Sequence, residues 1–167
     1  MTKTAALIVA AGRGQRFGGS LPKQYAPLAG VPLLRHTLRA FAAHPAVTTL
    51  RAVIHPDDRP LYDAAAQGLS LAEPVAGGAS RQESVRRGLE SLVADPPARV
   101  LIHDGARPFV TAAVIDRVLA ALDAGPAAIA ALPVVDTLKR GAAGRIAGTQ
   151  DRSGLWAAQT PQGFRFG

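Results

Sequence analysis

Five continuous apolar runs alternate with helix-like stretches along this chain, and that alternation limits the folds open to it. The apolar runs predict strands at residues 4–10, 50–55, 69–75, 98–103 and 127–135. Helical spacing of apolar residues, or a helix-start signal, marks the stretches 32–44, 57–67, 80–93 and 111–124. Strands that are apolar throughout and separated by helices form mostly parallel sheets covered on both faces. We therefore predict an α/β fold with a doubly wound, mostly parallel sheet.

Local signals sharpen some of these boundaries. Ser80 and Glu83 have the spacing of a capping box at the start of one predicted helix. Thr111 and Gly125 suit the N-cap and C′ positions of the last predicted helix. Residues 136–155 break the alternation with glycines and charges, so we expect a hairpin arm that protrudes from the core. A chain of 167 residues, 48% of them apolar, is expected to be one domain that contains this arm.

Composition excludes several classes of function. The chain has no cysteine, so it offers no disulfide, thiolate metal site or cysteine nucleophile, and a reducing compartment suits it. Its four histidines lack the spacing of zinc ligands. We recognise no signal peptide and no apolar run of membrane length, so we expect a cytoplasmic protein without a membrane partner. The net charge of +7 raises nucleic acid as a partner, but only 5% of the residues are aromatic, which argues against it.

The most informative motif follows the first predicted strand. It reads A-A-G-R-G-Q-R-F over residues 10–17 and continues as L-P-K-Q-Y over residues 21–25. Its glycines, Gly12 and Gly14, allow a tight turn and bring bare N–H groups close to an anion. A dinucleotide-binding loop would need glycine where Phe17 stands, and a P-loop would need Gly-Lys-Ser/Thr. The pattern is instead typical of transferases that bind one nucleoside triphosphate; a plain turn with incidental cations is the alternative.

Positive charge surrounds this motif with no acid nearby in the sequence. The first acidic residue is Asp57, and the cations before it are Lys3, Arg13, Arg16, Lys23, Arg35, Arg39 and Arg51. The remaining 12 Lys and Arg residues balance all 12 Asp and Glu residues. Arg16 and Lys23 are therefore expected to bind phosphates, and the proline before Lys23 favours a fixed side chain over a solvated one. The sequence predicts a phosphate-binding site in its N-terminal third.

Two further motifs end other predicted strands. A pair of glycines precedes the capped helix, and two interpretations stay open: a simple helix start, or contacts of Gly78 and Ser84 with a nucleotide base. Asp104 ends a strand within H-D-G-A-R-P, where it would either bind Mg²⁺ or pair with Arg107 in a turn. His103 is expected to be a core histidine rather than a base. Because ligands bind at the carboxyl ends of parallel strands, the three motifs predict one shared site.

Taken in order, the motifs resemble one family. They are A-A-G-R-G-Q-R with L-P-K-Q-Y, G-G-x-x-R-Q-x-S-V, H-D-G-A-R-P, D-T-L-K-R, D-R-S-G-L-W and Q-T-P-Q-G-F. The sequence resembles the 2-C-methyl-D-erythritol 4-phosphate cytidylyltransferases of the non-mevalonate isoprenoid pathway over nearly its whole length. It looks closest to the cytidylyltransferase half of the bifunctional form that is fused to a cyclodiphosphate synthase. The first motif alone would identify only the wider nucleotidyltransferase superfamily.

The resemblance implies a Rossmann-like sheet and a homodimer whose arms reach into the partner's site. It implies transfer of CMP from CTP to 2-C-methyl-D-erythritol 4-phosphate, with Mg²⁺ as the cofactor and pyrophosphate as the second product. Arg16 and Lys23 would be the catalytic residues. The implied nucleotide contacts are Ala10, Ala11, Gly12, Gly14, Gly78, Ser84 and Asp104. Asp104 would also hold the metal, and the acceptor contacts would be Arg107 together with Thr137 and Arg152 of the partner subunit.

Two departures from the family pattern define the alternatives. Ala79 stands where some members carry aspartate near the base, so one cytosine contact would be lost or made by the backbone. The family pattern also continues beyond Gly167 with a further substrate-binding lysine, so we expect these residues to be an incomplete nucleotidyltransferase domain. Transfer to another polyol phosphate, such as ribitol 5-phosphate, is one alternative function. An inactive nucleotide-binding fragment is the other.

Overall fold

The computed structural model describes residues 2–13 and 21–167. The elements of the first half are β1 (Thr4–Ala10), β2 (Pro27–Leu28), β3 (Val31–Pro32), α1 (Leu33–Ala42), β4 (Thr49–Ile54), α2 (Arg59–Ala66) and β5 (Ala72–Ala76). Those of the second half are α3 (Arg81–Glu90), β6 (Arg99–Asp104), α4 (Ala112–Ala124), β7 (Ala127–Pro133), β8 (Leu138–Ala142), β9 (Arg145–Gln150) and β10 (Trp156–Arg165). Within the described ranges, no helix has the length and hydropathy of a membrane span.

Six strands form the central sheet, in the order β5-β4-β1-β6-β10-β7. β1 pairs in parallel with β4 and β6, and β4 pairs in parallel with β5. β10 is antiparallel to both β6 and β7, so β7 again runs in the common direction. The predicted doubly wound, mostly parallel, Rossmann-like sheet is confirmed. Because the strand order reverses at β1, the carboxyl end of β1 is a topological switch point, where ligands bind in such sheets.

Helices cover both faces of the sheet, which explains the continuous apolar strands. Ile8 of β1 belongs to a core shared with α1, α2 and α4, and Phe41 is one of the fully buried residues there. Leu7, its neighbour in the strand, belongs to the opposite core, which also contains Leu92 and the partly buried Leu89 of α3. Successive side chains of a strand point to opposite faces, so both must be apolar when both faces are covered.

The predicted capping residues lie at the helix ends, but only some of them make the predicted capping contacts. The Ser80 hydroxyl accepts a hydrogen bond from the Glu83 amide at 3.0 Å, whereas the Glu83 carboxylate accepts from the Ala79 amide at 2.9 Å. Thr111 is the N-cap of α4 without a side-chain capping bond, and Gly125 ends that helix in an extended conformation, with φ of −151°. The predicted C′ role of Gly125 is therefore wrong, since that cap requires a left-handed residue.

The predicted arm is present as an antiparallel hairpin of β8 and β9, separate from the central sheet. Its turn residues, Ala143 and Gly144, both have positive φ values, 48° and 74°, as tight hairpin turns require. β10 was not predicted. It lies between β6 and β7, and its pairing with β7 is irregular between Ala158 and Gln162. β7 ends at Pro133, two residues before the predicted boundary.

Candidate functional site

A cleft of about 720 Å³ opens beyond the carboxyl ends of β1 and β6, beside the turn that precedes α3. The predicted site residues that line it are Ala10, Ala11, Gly12, Lys23, Gly78, Ser84 and Asp104. The structure therefore brings together the three motifs that the sequence placed at strand ends. This is the edge of the sheet at which doubly wound folds bind their ligands.

Among the described residues, the predicted site residues Arg107, Thr137 and Arg152 do not line this cleft. Gly14 and Arg16 lie outside the described residues. Thr137 is an exposed residue just before β8, and Arg152 follows β9, where its guanidinium donates a hydrogen bond to the carbonyl of Val135. The roles of Thr137 and Arg152 were predicted for the partner's site, so they stay predictions here.

Gln24 fixes the backbone of the loop that follows β1, a role that the sequence analysis did not assign. Its side chain is buried, and its amide nitrogen donates to the carbonyl of Ala10 at 2.7 Å and to that of Gly12 at 3.0 Å. Two hydrogen bonds from one buried amide hold the start of the loop against the Lys23–Tyr25 turn. The glutamine is visible within L-P-K-Q-Y, but nothing in the motif indicates which carbonyl groups it contacts.

Close packing of two glycines builds the opposite wall of the cleft. A Cβ on Gly77 would lie 2.3 Å from the Cβ of Ala11, so the two loops approach as closely as only glycine permits. The amide of Gly78 donates to the Ser84 hydroxyl at 3.0 Å, and that hydroxyl donates to the carbonyl of Ser80 at 2.9 Å. In this structure Ser84 therefore shapes the turn at the start of α3.

Asp104 is held between two arginines at the end of β6. The Arg81 Nε atom lies 3.1 Å from Asp104 Oδ1, and the Arg107 Nε atom lies 3.0 Å from Asp104 Oδ2. The pair with Arg107 is the turn interaction that the sequence analysis considered for this motif. Arg81 was not predicted, and it ties α3 to β6 across the cleft. Such charge-assisted bonds orient a carboxylate more strongly than neutral ones.

Lys23 lies where this cleft meets a second cavity. That cavity, of about 760 Å³, is lined largely by apolar residues of α4 and β7, and it shares Lys23 and Ala106 with the first cleft. Its polar end includes Arg107, Gln159 and Thr160. The last two belong to the irregular part of β10, and bulges commonly redirect side chains toward a site. The Arg107 guanidinium donates a hydrogen bond to the Gln159 side chain.

His103 is a buried support for this region, as predicted. Its Nε2 lies 3.0 Å from the carbonyl of Arg107, so Nε2 carries the proton and donates it. Nδ1 is then the acceptor, and the Thr160 hydroxyl donates to it at 3.0 Å. Burial lowers the pKa of the His103 imidazole, although the hydrogen bond to Arg107 opposes part of that effect. A neutral His103 joins β6 to β10.

The lowered pKa of His103 predicts an acid-sensitive fold. The unfolded chain binds a proton at His103 near its ordinary pKa of about 6.5, and the native state binds it only at lower pH. The free energy of unfolding should therefore fall as the pH drops through about 6. Urea unfolding at about pH 7.5 and about pH 5.5 would measure this loss, and His103→Gln should reduce it. An equal loss in the variant would contradict the assignment to His103.

The structure corrects the expectation that the N-terminal cations lack counter-charges. The Arg13 guanidinium pairs with Asp58 at 2.8 Å and with Asp57 at 2.7 Å. Lys3 forms an ion pair with Asp95. These acids are remote in sequence but adjacent in space. The positive charge around the cleft instead includes Lys23 and the two arginines that flank Asp104.

The described residues do not form a site that could hold a metal ion by themselves. They fit better with a metal ion that is bound jointly by the protein and a nucleotide. Among residues 2–13 and 21–167, no group of three or more His, Asp or Glu side chains is arranged to hold a metal. Of these residues, Asp104 is the only acidic one that lines the cleft. Mg²⁺ commonly takes one or two carboxylates and completes its shell with water and substrate phosphates. A single carboxylate beside the predicted phosphate-binding loop suits that mode.

Comparison with known proteins gives one consistent family. The family model of 2-C-methyl-D-erythritol 4-phosphate cytidylyltransferase (IspD) matches residues 4–167. A bifunctional enzyme IspD/IspF of Rhodospirillum rubrum is 67% identical over 167 residues, which are 99% of this chain and 44% of that protein. A 2-C-methyl-D-erythritol 4-phosphate cytidylyltransferase of Cereibacter sphaeroides is 57% identical over 98% of this chain and 73% of its own length.

The fold agrees with a solved structure of the same description. The crystal structure of 2-C-methyl-D-erythritol 4-phosphate cytidylyltransferase from Thermus thermophilus superposes with a TM-score of 0.78 at 35% identity. The match covers 98% of this chain and 71% of that one. The chain thus spans less than half of the bifunctional relative and nearly three quarters of the monofunctional ones.

Proposed function

The chain belongs to the 2-C-methyl-D-erythritol 4-phosphate cytidylyltransferase family, and we propose that it transfers CMP from CTP to 2-C-methyl-D-erythritol 4-phosphate. The products are 4-diphosphocytidyl-2-C-methyl-D-erythritol and pyrophosphate. The observation that carries this proposal is the position of Lys23 between two cavities. One cavity is lined by the nucleotide motifs, and the other has Arg107 at its polar end.

In this proposal the nucleotide occupies the cleft at the switch point. Its base lies near the turn of Gly78 and Ser84, where the Gly78 amide is held by the Ser84 hydroxyl and a Cβ on Gly78 would meet only the side chain of Glu83. Its phosphates extend toward residues 10–12 and Lys23. Lys23 follows Pro22, whose carbonyl accepts from the Tyr25 amide at 2.8 Å, so the turn that carries the lysine is fixed.

The acceptor occupies the polar end of the second cavity. Arg107 presents a guanidinium there, which suits a phosphate, and Gln159 and Thr160 add groups that hydrogen-bond to hydroxyls. An oxygen of the acceptor's phosphate attacks the α-phosphorus of CTP from the Lys23 side. The bond between the α-phosphorus and the bridging oxygen breaks, and its electron pair leaves with pyrophosphate.

This reaction needs positioning and charge neutralisation rather than a protein base. A phosphate nucleophile is already ionised at neutral pH, and no covalent enzyme intermediate is required. Lys23 stabilises the negative charge that builds on the α-phosphate as the new bond forms. Arg81 and Arg107 add positive charge at the same edge, and Asp104 keeps both oriented before the substrates bind. Fixed cations of this kind do not have to reorganise during the reaction.

Asp104 is the residue that would hold Mg²⁺, together with phosphate oxygens of the nucleotide. A bound Mg²⁺ would neutralise charge on the triphosphate and on the leaving pyrophosphate. In the structure Asp104 is paired with Arg81 and Arg107, so its side chain is already directed to the end of β6 that lines the cleft.

The arm and the longer relatives suggest partners. We propose that the hairpin of β8 and β9 contacts a second copy of the chain, and that Thr137 and Arg152 of the partner subunit contribute to acceptor binding. The similarity to bifunctional IspD/IspF proteins further suggests a cyclodiphosphate synthase domain fused to this chain or acting beside it. A reducing, cytoplasmic setting is proposed because the sequence has no cysteine.

The experiment that tests the function measures pyrophosphate release from CTP and Mg²⁺ with a panel of acceptors. We expect turnover with 2-C-methyl-D-erythritol 4-phosphate and little with ribitol 5-phosphate. Calorimetry with CTP and Mg²⁺, against a duplex oligonucleotide, separates an enzyme from a general polyanion binder. Saturable CTP binding supports the proposal, whereas salt-sensitive binding to the oligonucleotide alone would overturn it.

A further inference from the structure

A buried carboxylate lies behind the nucleotide loop on a segment that none of the site motifs includes. Asp58 precedes α2, and it is only 2% exposed. Its Oδ1 atom accepts a hydrogen bond from Arg13 Nη1 at 2.8 Å. Its Oδ2 atom is buried and has no hydrogen-bond partner among the described residues. Burial of a carboxylate carries a large desolvation penalty unless the group is well paired.

Asp58 directly precedes α2, and this helix contacts the turn on the other side of the same loop. The Tyr25 hydroxyl is buried, and it too has no hydrogen-bond partner among the described residues. Burial raises the pKa of that hydroxyl well above its ordinary value, and the negative charge of Asp58 raises this pKa further. Helix α2 contacts the turn that contains Tyr25. The carboxylate is therefore hydrogen-bonded to one side of the loop and is connected to the other side by the packing of α2.

Arg13 and Tyr25 belong to the two described flanks of the loop. We call residues 10–13 and 23–25 the loop flanks. Gln24 already connects them directly through its bonds to Ala10 and Gly12. Asp58 provides a second connection, from the α2 side, and it is the more buried end of its ion pair: the Asp58 side chain is 3% exposed and that of Arg13 is 41% exposed.

The guanidinium of Arg13 is engaged by more than Asp58. Its Nη2 atom donates to Asp57 Oδ2 at 2.7 Å and lies 2.9 Å from His55 Nδ1. A planar guanidinium with several donors in fixed directions suits this arrangement, which a lysine ammonium would not reproduce. With its donors directed at three residues of one segment, Arg13 is placed to brace the loop rather than to bind phosphate.

We propose that Asp58 is a positioning residue for nucleotide binding, whose buried carboxylate anchors one loop flank directly through Arg13 and the other through the packing of α2 against the turn that contains Tyr25. Arg13 provides the hydrogen bonds that connect the first loop flank to Asp58. Together they fix the backbone of residues 10–12 relative to Lys23. The proposal rests on the proposed function only for the identity of the nucleotide.

The first test needs no nucleotide. In the free protein, Arg13→Met and Asp58→Ala should each accelerate amide hydrogen exchange at Tyr25 and Ala26 about tenfold, while amides of β6 stay unchanged. Both amides are hydrogen-bonded within the turn, to the carbonyls of Pro22 and Lys23. Arg13 is part-exposed, so its variant is expected to fold even where Asp58→Ala does not. Unchanged exchange in folded Arg13→Met would overturn the proposal.

The second test uses the sign of an affinity change. If Asp58 acted only through its charge, its removal would strengthen the binding of CTP with Mg²⁺, because a negative charge near an anion is lost. As an anchor, Asp58→Ala should instead raise the Kd for CTP about tenfold, a change of about 1.4 kcal/mol. The matched control is Asp63→Ala, an exposed aspartate on α2 that pairs with Arg59, and it should leave the Kd within about twofold.

A double-variant cycle completes the design. Arg13→Met with Asp58→Ala should weaken CTP binding no more than either change alone, since both break one connection. Additive losses would mean that Arg13 binds the phosphates independently of Asp58, and they would overturn the proposal. If the unmodified chain does not bind CTP, the proposed function fails while the exchange test of the anchor still stands.

Discussion

Replacing Lys23 with methionine is expected to lower kcat by about 10² to 10³, the usual cost of removing one preorganised charge from a transition state. Lys23 is a basic side chain shared by the linings of both cavities, so in the proposed reaction it is the group placed to act on the α-phosphorus. The lysine is exposed, whereas Gln24 and Tyr25 of the same turn are buried. The fold should therefore survive the substitution.

The measurement is the rate of pyrophosphate release at saturating CTP and acceptor, with thermal unfolding as a check of the fold. Lys3→Met is the matched control, because Lys3 lies before β1, at the other edge of the sheet, and pairs with Asp95. It should keep kcat within about twofold of the unmodified value. A near-normal kcat for Lys23→Met, or a change in KM alone, would show that Lys23 does not stabilise the transition state.

Most of the central sheet could be predicted because its strands are buried on both faces. A strand such as β1 then becomes an uninterrupted apolar run, which the sequence displays directly. β10 carries glutamines, a proline and a glycine, and it is irregular where it passes the site. Its composition therefore shows no strand pattern, and no strand was predicted there. Strands that are interrupted by a bulge lose the regular pattern on which sequence interpretation depends.

The sequence analysis predicted positive charge at the site, and cationic residues do line the cleft. Some of them, however, come from outside the N-terminal third to which the prediction assigned the charge. The sequence pointed to the acid-free N-terminal third, yet Arg13 pairs with Asp57 and Asp58 across the loop. Arg81 and Arg107 come from the region whose charges balance in the sequence, and both converge on Asp104. Charge balance along a chain does not report charge balance in space, because ion pairs join residues that folding brings together.

Motif spacing located the strand-end motifs but not their supports. Gln24 and Thr160 hold backbone and imidazole groups through hydrogen bonds between segments distant in sequence. No local pattern announces such contacts, since the residue types involved are common at surfaces as well. Their motifs, L-P-K-Q-Y and Q-T-P-Q-G-F, were visible in the sequence, but only the fold shows which polar atoms they satisfy.

Gly77→Ala is expected to raise the Kd for CTP about a hundredfold. A misplacement of about 1 Å in a positioned site costs about 10² in reaction rate, and we expect a similar loss of affinity because the displaced walls are those that hold the nucleotide. The new Cβ would lie 2.3 Å from the Cβ of Ala11 and 2.9 Å from the Ser84 hydroxyl. Neither neighbour is a flexible side-chain end. The loop after β1 and the turn before α3 must therefore separate, and these form two walls of the cleft.

A compensating change makes the steric cause testable. Ala11→Gly removes the nearest clashing atom, so adding it to Gly77→Ala should recover at least about tenfold in CTP affinity, with the Ser84 contact limiting full recovery. Gly125→Ala is the control, because a Cβ there would meet nothing closer than 3.9 Å and the backbone is extended. If the double variant binds CTP no better than Gly77→Ala alone, the contact between the two loops does not set the geometry of the cleft, and the base-side wall must be defined by other groups.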